Sequence, residues 1–287
     1  MKNLQNDERS MELLLAQRQL YNDSKKANNI IVFFAVISAL GSILMFYIQE
    51  VATVFVVFGF FVAVSTSFLL DPFKKHKREK AARIQEELDC YLFNLPWNQQ
   101  LAGDKISPED ISDAAKRFKG NVEDLKNWYN SAGAHPDKKM EILLCQRESI
   151  SWDQRLRKQY ANIMIAITIS VILFGWIVAT IQKELFLGYF LKYLIPISGL
   201  LLLLFKSITG QRKTAEMQKE KEAELNNLLY HKDLDINSLT EEKLRSLQNF
   251  IFKYRFNNEP IPNFVYKRLK KRFDENAQIA SEKFTNN

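Results

Sequence analysis

Uncharged, strongly apolar stretches alternate along the chain with stretches that are dense in charge. Three of them contain no charged side chain at all: residues 27–49, 51–70 and 159–182. A fourth, residues 185–205, contains only Lys192. A helix rises about 1.5 Å per residue, so each stretch is long enough to cross the ~30 Å apolar core of a bilayer. The pattern therefore predicts four membrane-spanning helices, at about 30–48, 51–70, 161–181 and 186–206.

The turns and flanking charges group these spans into two hairpins. Spans one and two are joined by little more than Gln49 and Glu50, and spans three and four by residues 182–184. The opposite ends of the spans are basic, most clearly in KKHKREK (74–80). Basic residues stay on the cytoplasmic side of a membrane. We therefore expect both chain termini and the segment between the hairpins to be cytoplasmic.

A short motif precedes each hairpin. MELLLAQR (11–18) and MEILLCQR (140–147) are identical at six of eight positions and run in the same direction towards an apolar stretch. This arrangement indicates a duplicated two-span module, with a pseudo-twofold axis along the membrane normal, as in other parallel membrane repeats.

The motif ends on an arginine that extends an apolar helix face. With a helical period, Met11, Leu14 and Leu15 share a face that Arg18 continues, and Arg147 has the same position in the second copy. A half-buried guanidinium requires a carboxylate, carbonyl groups or a phosphate.

Two interpretations of these arginines stay open. One is an intramolecular pair, with Glu12, Glu141 or an acidic residue of the cytoplasmic segment. The other is a paired anion site with one arginine from each half. The candidate ligand-binding residues are Arg18, Tyr21, Arg147, Trp152 and Arg155.

The polar segments read as helices. No sustained alternation with a period of two occurs, which predicts an all-α fold. Helix starts are expected at Ser107, with Pro108 in the first turn, at Asn121, at Pro136 and at SLTE (238–241). The predicted parts are an N-terminal cytoplasmic helix (1–29), the first hairpin (30–70), a helical insert (71–158), the second hairpin (159–206) and a C-terminal helical region (207–287). We expect the insert and the C-terminal region to pack together.

Signatures of catalysis are absent from the sequence. It contains no phosphate-binding glycine loop, nucleophile elbow, HExxH or paired CxxC, so we expect neither an enzyme nor a metal or cofactor site. Within the spans, Lys192 either snorkels to the interface or lines a pore mouth, and Pro196 is expected to bend span four. The small polar residues Thr53, Ser65 and Thr168 suit either helix packing or a water-filled path.

Several segments together resemble the bacterial S-4TM family of four-span effectors. They are LLLAQRQLYNDSKK (13–26), FNLPWN (93–98) within a helical insert between two hairpins, and IPNFVYKRLKKRFDENAQ (261–278). The resemblance covers essentially the whole chain by layout, and AQRQLY and the IPNFVYKRLKKRF block are its most specific parts. Asn263 and Val265 depart from the aspartate and tryptophan that we associate with the family.

The resemblance implies a function in CBASS anti-phage signalling. A cGAS-like nucleotidyltransferase would make a cyclic di- or trinucleotide, and the cytoplasmic part would bind it. The spans would then rearrange or form a homo-oligomer and breach the inner membrane, which leads to abortive infection. Its expected partners are this nucleotide and the lipid bilayer, with no DNA or RNA. Alternatives are a constitutive small channel or transporter, a membrane scaffold, and a toxin that a protein partner controls.

Overall fold

The computed structural model describes residues 1–44, 47–48, 50, 52–230 and 239–285, without the side chains of residues 52, 53, 56, 230, 277, 278 and 280–285. Every regular element in these ranges is helical, which confirms the all-α prediction for them. The α-helices are α1 (Glu8–Leu44), α2 (Ala52–Ser65), α3 (Asp71–Phe93), α4 (Gln99–Ala102), α5 (Pro108–Lys116), α6 (Lys138–Ile181), α7 (Phe186–Tyr189), α8 (Ser198–Tyr230), α9 (Glu241–Asn257) and α10 (Asn263–Thr285).

Short helical turns of other types complete the architecture. Two 3₁₀ turns lie at Leu4–Asn6 and Glu123–Leu125. Two five-residue π-helical turns lie at Thr66–Leu70, between α2 and α3, and at Phe190–Leu194, directly after α7.

The chain divides into two compact units. The polar unit consists of Met1–Ser24, His76–Arg157 and Lys213–Asn287, and the apolar unit consists of Lys25–Lys75 and Lys158–Arg212. Each passage of the chain from one unit to the other falls inside a helix, namely α1, α3, α6 or α8.

The helices of the apolar unit have the length and composition of membrane spans. Three helices qualify alone: Glu8–Leu44, Val57–Phe93 and Lys138–Ile181. A fourth candidate is the pair Phe186–Leu194 and Ser198–Leu229, bent by 74° at a short break that contains Pro196. This angle confirms the predicted bend. The bend arises because proline cannot donate the helical hydrogen bond at this point.

Neighbouring apolar helices pack closely within their unit. A Cβ added to Gly41 of α1 would lie 2.1 Å from the Phe55 ring of α2, so the absence of a side chain at Gly41 permits this contact. Between α6 and α7, the Tyr189 hydroxyl donates to the Ile172 carbonyl at 3.1 Å. The side chains facing outward are apolar, for example Phe174 at 69% exposure. Such a surface requires lipid or other apolar surfaces around it.

The core of the polar unit contains side chains from all three of its chain segments. Leu14 of α1, Leu88 of α3, Leu143 of α6 and Ile251 of α9 belong to one buried apolar cluster. The predicted packing of the insert against the C-terminal region is therefore confirmed. This cluster fixes the helices that carry the candidate ligand residues.

Predicted helix starts differ in how well they match the structure. Ser107 caps α5 as predicted, accepting a hydrogen bond from the Asp110 amide at 3.2 Å. The predicted start at Pro136 is two residues too early: α6 begins at Lys138, and the Asp137 carboxylate accepts hydrogen bonds from the amides of Lys139 and Met140 in its first turn. Asn121 accepts from the Glu123 amide, but only a 3₁₀ turn follows.

For α9, the cap is Thr240, whose hydroxyl accepts from the Lys243 amide at 3.3 Å. The predicted capping residue Ser238 lies outside the described residues. The prediction chose a serine with a glutamate three positions later, whereas the helix begins directly after the next hydroxyl residue.

Candidate functional site

The two copies of the repeated motif have several buried positions in common, but their final residues differ. Both lie in the first turns of a long helix, α1 or α6, and α6 continues unbroken into an apolar stretch as predicted. Gln17 and Gln146 are both buried, as are the preceding Ala16 and Cys145. The arginines then differ: Arg147 is buried and Arg18 is half-exposed.

Arg147 makes polar contacts within the polar unit. Its Nε donates to Asn226 Oδ1 at 2.5 Å, and its Nη2 lies 3.7 Å from Glu222 Oε1, both on α8. Arg155 reaches the same carboxylate oxygen at 3.8 Å. Glu222 therefore brings two of the candidate ligand residues together.

The acidic residues considered as partners from the sequence have other surroundings. Glu12 is exposed, whereas Glu141 is buried and accepts from the Gly133 amide at 2.6 Å. The Arg147 contact thus matches the expected intramolecular pair in kind, but its partner comes from the C-terminal region.

Arg18 has a different environment, formed by an aromatic ring. Its guanidinium carbon lies 4.5 Å from the ring centroid of Tyr266 on α10, which is cation–π geometry. Among the described residues, its guanidinium has no hydrogen-bond acceptor and no ion-pair partner. One face of the guanidinium is therefore held while its donors stay available for an anion.

The Tyr266 ring also connects Arg18 to Trp152. The Tyr266 and Trp152 ring centroids are 5.0 Å apart, and Trp152 meets Phe273 edge to face at 5.7 Å. The Trp152 indole donates to Asp274 Oδ1 at 3.2 Å. We call Arg18, Tyr266 and Trp152 the aromatic stack. Tyr266 was not among the candidate residues, although it lies in the IPNFVYKRLKKRF block.

Tyr21 lies one turn beyond Arg18 and bonds within the core. Its hydroxyl donates to Gln85 Oε1 on α3 at 3.1 Å. Burial is the main cause that raises the pKa of this phenol, so it stays neutral at physiological pH. Of the five candidates, the structure thus joins Arg18 with Trp152 and Arg147 with Arg155, and places Tyr21 against α3.

A buried ionic network lies in the same unit, and sequence reasoning missed it. Asp89 accepts from the Tyr129 hydroxyl at 2.7 Å, from Gln248 Nε2 at 2.8 Å and from Arg255 Nη1 at 2.5 Å. Glu86, one turn earlier on α3, pairs with Arg245. We call Glu86, Asp89, Arg245, Gln248 and Arg255 the buried ionic network. It fastens α9 to α3.

The network shifts the titration of its members. Burial raises the pKa of Glu86, and the Arg245 guanidinium opposes that change. Burial alone would lower the pKa of Arg255, but the Asp89 carboxylate beside it raises this pKa well above its ordinary value. The only sequence signal was acidic residues at helical spacing in α3, EELD (86–89), which is usual for a solvated face.

The candidate pore residues lie in the apolar unit. Lys192 pairs with Glu184, which precedes α7, so the ammonium group has a carboxylate partner. Thr168 bonds to the carbonyl of Met164 in its own helix at 2.8 Å, and Ser65 is half-buried at the end of α2. The Thr53 side chain lies outside the described residues. No hydrogen bond or ion pair joins Lys192, Ser65 and Thr168 in the described part of the chain.

A polar cluster connects residues from the two predicted hairpins. The Tyr47 hydroxyl donates to Gln182 Oε1 at 2.7 Å and lies 2.6 Å from the Tyr193 hydroxyl. Tyr193 also reaches Gln182 Oε1, at 2.8 Å. In an apolar surrounding these groups satisfy one another.

Comparison with known proteins relates the chain to a described group. The sequence profile of the SMODS-associating 4TM effector domain matches residues 1–284. The chain is also similar to a protein of Bacillus cereus (strain VD146) described as a probable CBASS effector molecule. The two are 30% identical over 285 residues, and the match covers 94% of this chain and 93% of that protein. No solved structure matches the chain significantly.

Proposed function

The chain belongs to the SMODS-associating 4TM effector family, and from that premise we propose that a cyclic oligonucleotide activates it. The family and the Bacillus relative indicate a membrane effector of CBASS anti-phage defence. In the proposed function, a cGAS-like nucleotidyltransferase makes a cyclic di- or trinucleotide after infection. The effector binds this ligand on the cytoplasmic side, disrupts the inner membrane and stops the cell before the phage matures.

The observation that carries the binding step is the Arg18 guanidinium, stacked on Tyr266 with no acceptor among the described residues. A phosphodiester is a good acceptor for such a fork of donors. Tyr266 and Trp152 offer aromatic rings on which a nucleobase can stack. The aromatic stack therefore supplies the two kinds of group that a cyclic oligonucleotide requires, one for phosphate and one for base.

Helix continuity supports a route from binding to the membrane. Arg18 and the first apolar stretch belong to the same helix, α1, and Trp152 and the third belong to α6. A ligand shifts an equilibrium only by binding one state better than the other. We therefore infer that the ligand favours a state in which α1 and α6 are displaced.

The membrane step involves the apolar surface of the spans. Large apolar side chains on several of these helices are exposed in the single chain, such as Phe60, Phe174 and Leu202. In the active state we expect some of these faces to pack against other copies of the chain. In this proposal both termini are cytoplasmic, which the basic ends of the spans support through the positive-inside rule.

Dye leakage from liposomes that carry the purified chain tests this function. The chain is reconstituted, and leakage is followed with and without a panel of cyclic di- and trinucleotides. We expect leakage with one nucleotide only. Leakage without any nucleotide would instead support a constitutive channel or a toxin held by a protein partner. No leakage from folded, inserted protein would support a scaffold.

Two arginine variants on the same helix test the binding step. Arg9 also stacks on a tyrosine, Tyr91, at 4.6 Å, but its Nη2 donates to Glu87 Oε1 at 3.3 Å. We expect Arg18→Ala to weaken nucleotide binding at least about tenfold, since a charged hydrogen bond contributes about 1.5–3 kcal/mol, and Arg9→Ala to bind normally. Normal nucleotide binding by Arg18→Ala would show that the aromatic stack is not the ligand site. It would not contradict ligand-gated leakage, which the liposome assay tests separately.

A further inference from the structure

Helix α10 has two faces with different roles. One face packs into the polar unit through Val265 and Phe273, both of which are buried, and through Tyr266 of the aromatic stack. The opposite face is open. It carries Phe264 at 65% exposure near the start of the helix and Ile279 at 52% exposure further along. Because the packed face fixes the helix, the open face cannot turn inward.

Between these two apolar side chains the open face is strongly basic. Its exposed cations are Lys267, Arg268, Lys271 and Arg272. Within the described part of the chain none of these four has an ion-pair partner, whereas Lys270, at the edge, pairs with Asp274 at 3.6 Å. The described part of this face carries one acid, Glu275. A net positive surface therefore follows the helix for about two turns.

We propose that the open face of α10 docks on an anionic lipid surface, with its cations on the phosphate headgroups and Phe264 inserted between them. The apolar helices of the same chain have the length and composition of membrane spans, so a lipid surface is an expected partner of this chain. Headgroup phosphates complement unpaired lysine and arginine side chains. An exposed aromatic ring beside them is typical of interfacial helices.

The shape of the surface favours lipid over a soluble phosphate. The four cations point outward from a convex helix. In a phosphate-binding pocket, by contrast, the cations converge on one point. A small soluble anion would contact one or two of them and leave Phe264 in water. A planar array of headgroups meets all four and also removes Phe264 from water. This inference stands apart from the proposed nucleotide ligand.

The test uses the full chain reconstituted in vesicles, with an environment-sensitive fluorophore on Phe264→Cys. The native Cys90 and Cys145 are buried free thiols, and both are replaced by alanine. At the position equivalent to Cys145, the first copy of the motif already has an alanine, Ala16. Val122→Cys is the control, because Val122 is also an exposed apolar residue of the polar unit, but it lies beside acidic residues.

We expect blue-shifted emission at position 264, and quenching by lipid-linked nitroxide, in vesicles that contain phosphatidylglycerol. Neither should occur in pure phosphatidylcholine or at position 122. High salt should reverse the shift. Each of Lys267→Gln, Arg268→Gln and Lys271→Gln should lower the docked-to-undocked ratio about fivefold.

Three results would overturn the proposal. The first is the same emission at position 264 in both kinds of vesicle. The second is a shift with phosphatidylglycerol that persists in high salt and in the triple glutamine variant. The third is a shift that pyrophosphate alone produces in phosphatidylcholine vesicles, which would make this face a site for soluble phosphate.

Discussion

The Arg255 guanidinium donates to the Asp89 carboxylate at 2.5 Å, and Asp89 has no exposure to solvent. The two residues lie 166 positions apart in the chain. Their pairing closes the insert and the C-terminal region into one unit. A buried charge that loses its partner is strongly destabilising. The network is thus a place where single substitutions have large effects.

Removal of the Asp89 charge should destabilise the polar unit. We expect Asp89→Asn to lower the free energy of unfolding by about 3–5 kcal/mol, because Arg255 would stay buried without a counter-charge. Thermal unfolding in detergent, followed by circular dichroism, measures this change. Asp113→Asn, at an exposed position of α5, is the control and should have little effect. The double variant Asp89→Leu/Arg255→Met should recover much of the loss. A similar loss of unfolding free energy in Asp89→Asn and Asp113→Asn would contradict the prediction.

Glu148 should make stability depend on pH. Its carboxylate accepts from the Ser131 amide at 2.8 Å and from Asn130, and burial, the largest influence on it, raises its pKa. The folded state therefore takes up a proton at a higher pH than the unfolded state does. This contribution to stability is full below the ordinary glutamate pKa and is lost as pH rises through the raised value.

The measurement compares unfolding free energies of the natural chain and Glu148→Gln across this pH range. The stability of the variant relative to the natural chain should increase as pH rises. Glu12→Gln, at an exposed position of α1, should follow the natural chain. Parallel curves for Glu148→Gln and the natural chain would show that the pKa of this carboxyl does not change on folding.

The two motif arginines should differ in their effect on stability. Arg147→Ala removes a buried guanidinium from Asn226 and Glu222, and we expect a loss of about 2–4 kcal/mol. Arg18→Ala removes a stacking contact at a half-exposed position, and we expect about 0.5–1 kcal/mol. Equal losses in thermal unfolding would mean that the two copies of the repeat are equivalent after all.

Close packing of α1 against α2 should make Gly41 intolerant of a side chain. A Cβ there would overlap the Phe55 ring, so Gly41→Ala should destabilise the apolar unit by about 1–3 kcal/mol. Gly59→Ala is the matched control on α2, since nothing lies within 4 Å of its Cβ position. Unfolding by increasing denaturing detergent compares the two. A tolerated Gly41→Ala would show that the Phe55 ring moves freely.

Sequence patterns predicted the elements of this fold more readily than their partners. Long uncharged stretches and local signals such as Ser107–Pro108 or Pro196 depend on neighbouring residues, and the structure matches them. Asn121 misled because a cap signal starts a helix only where the following residues can continue it, and here the chain turns at Asn127 with a positive φ of 52°.

The candidate site shows the same division. The helical motif and the need of Arg147 for a polar partner followed from periodicity and burial. Its actual partner, Glu222, is set by how α8 packs on α6, which no local pattern encodes. Tyr266 was missed for the same reason, since its role depends on α10 lying beside α1.

The order of synthesis gives the buried ionic network a temporal consequence. Glu86 and Asp89 leave the ribosome about 160 residues before Arg245 and Arg255 do. At 5–20 residues per second this interval is on the order of ten to thirty seconds. By the end of this interval all the apolar stretches have been made. Throughout it, the two carboxylates lack the arginines with which they pair in the folded chain. A chain cut short before Arg245 therefore keeps every apolar stretch but lacks both of the cations that pair with Glu86 and Asp89.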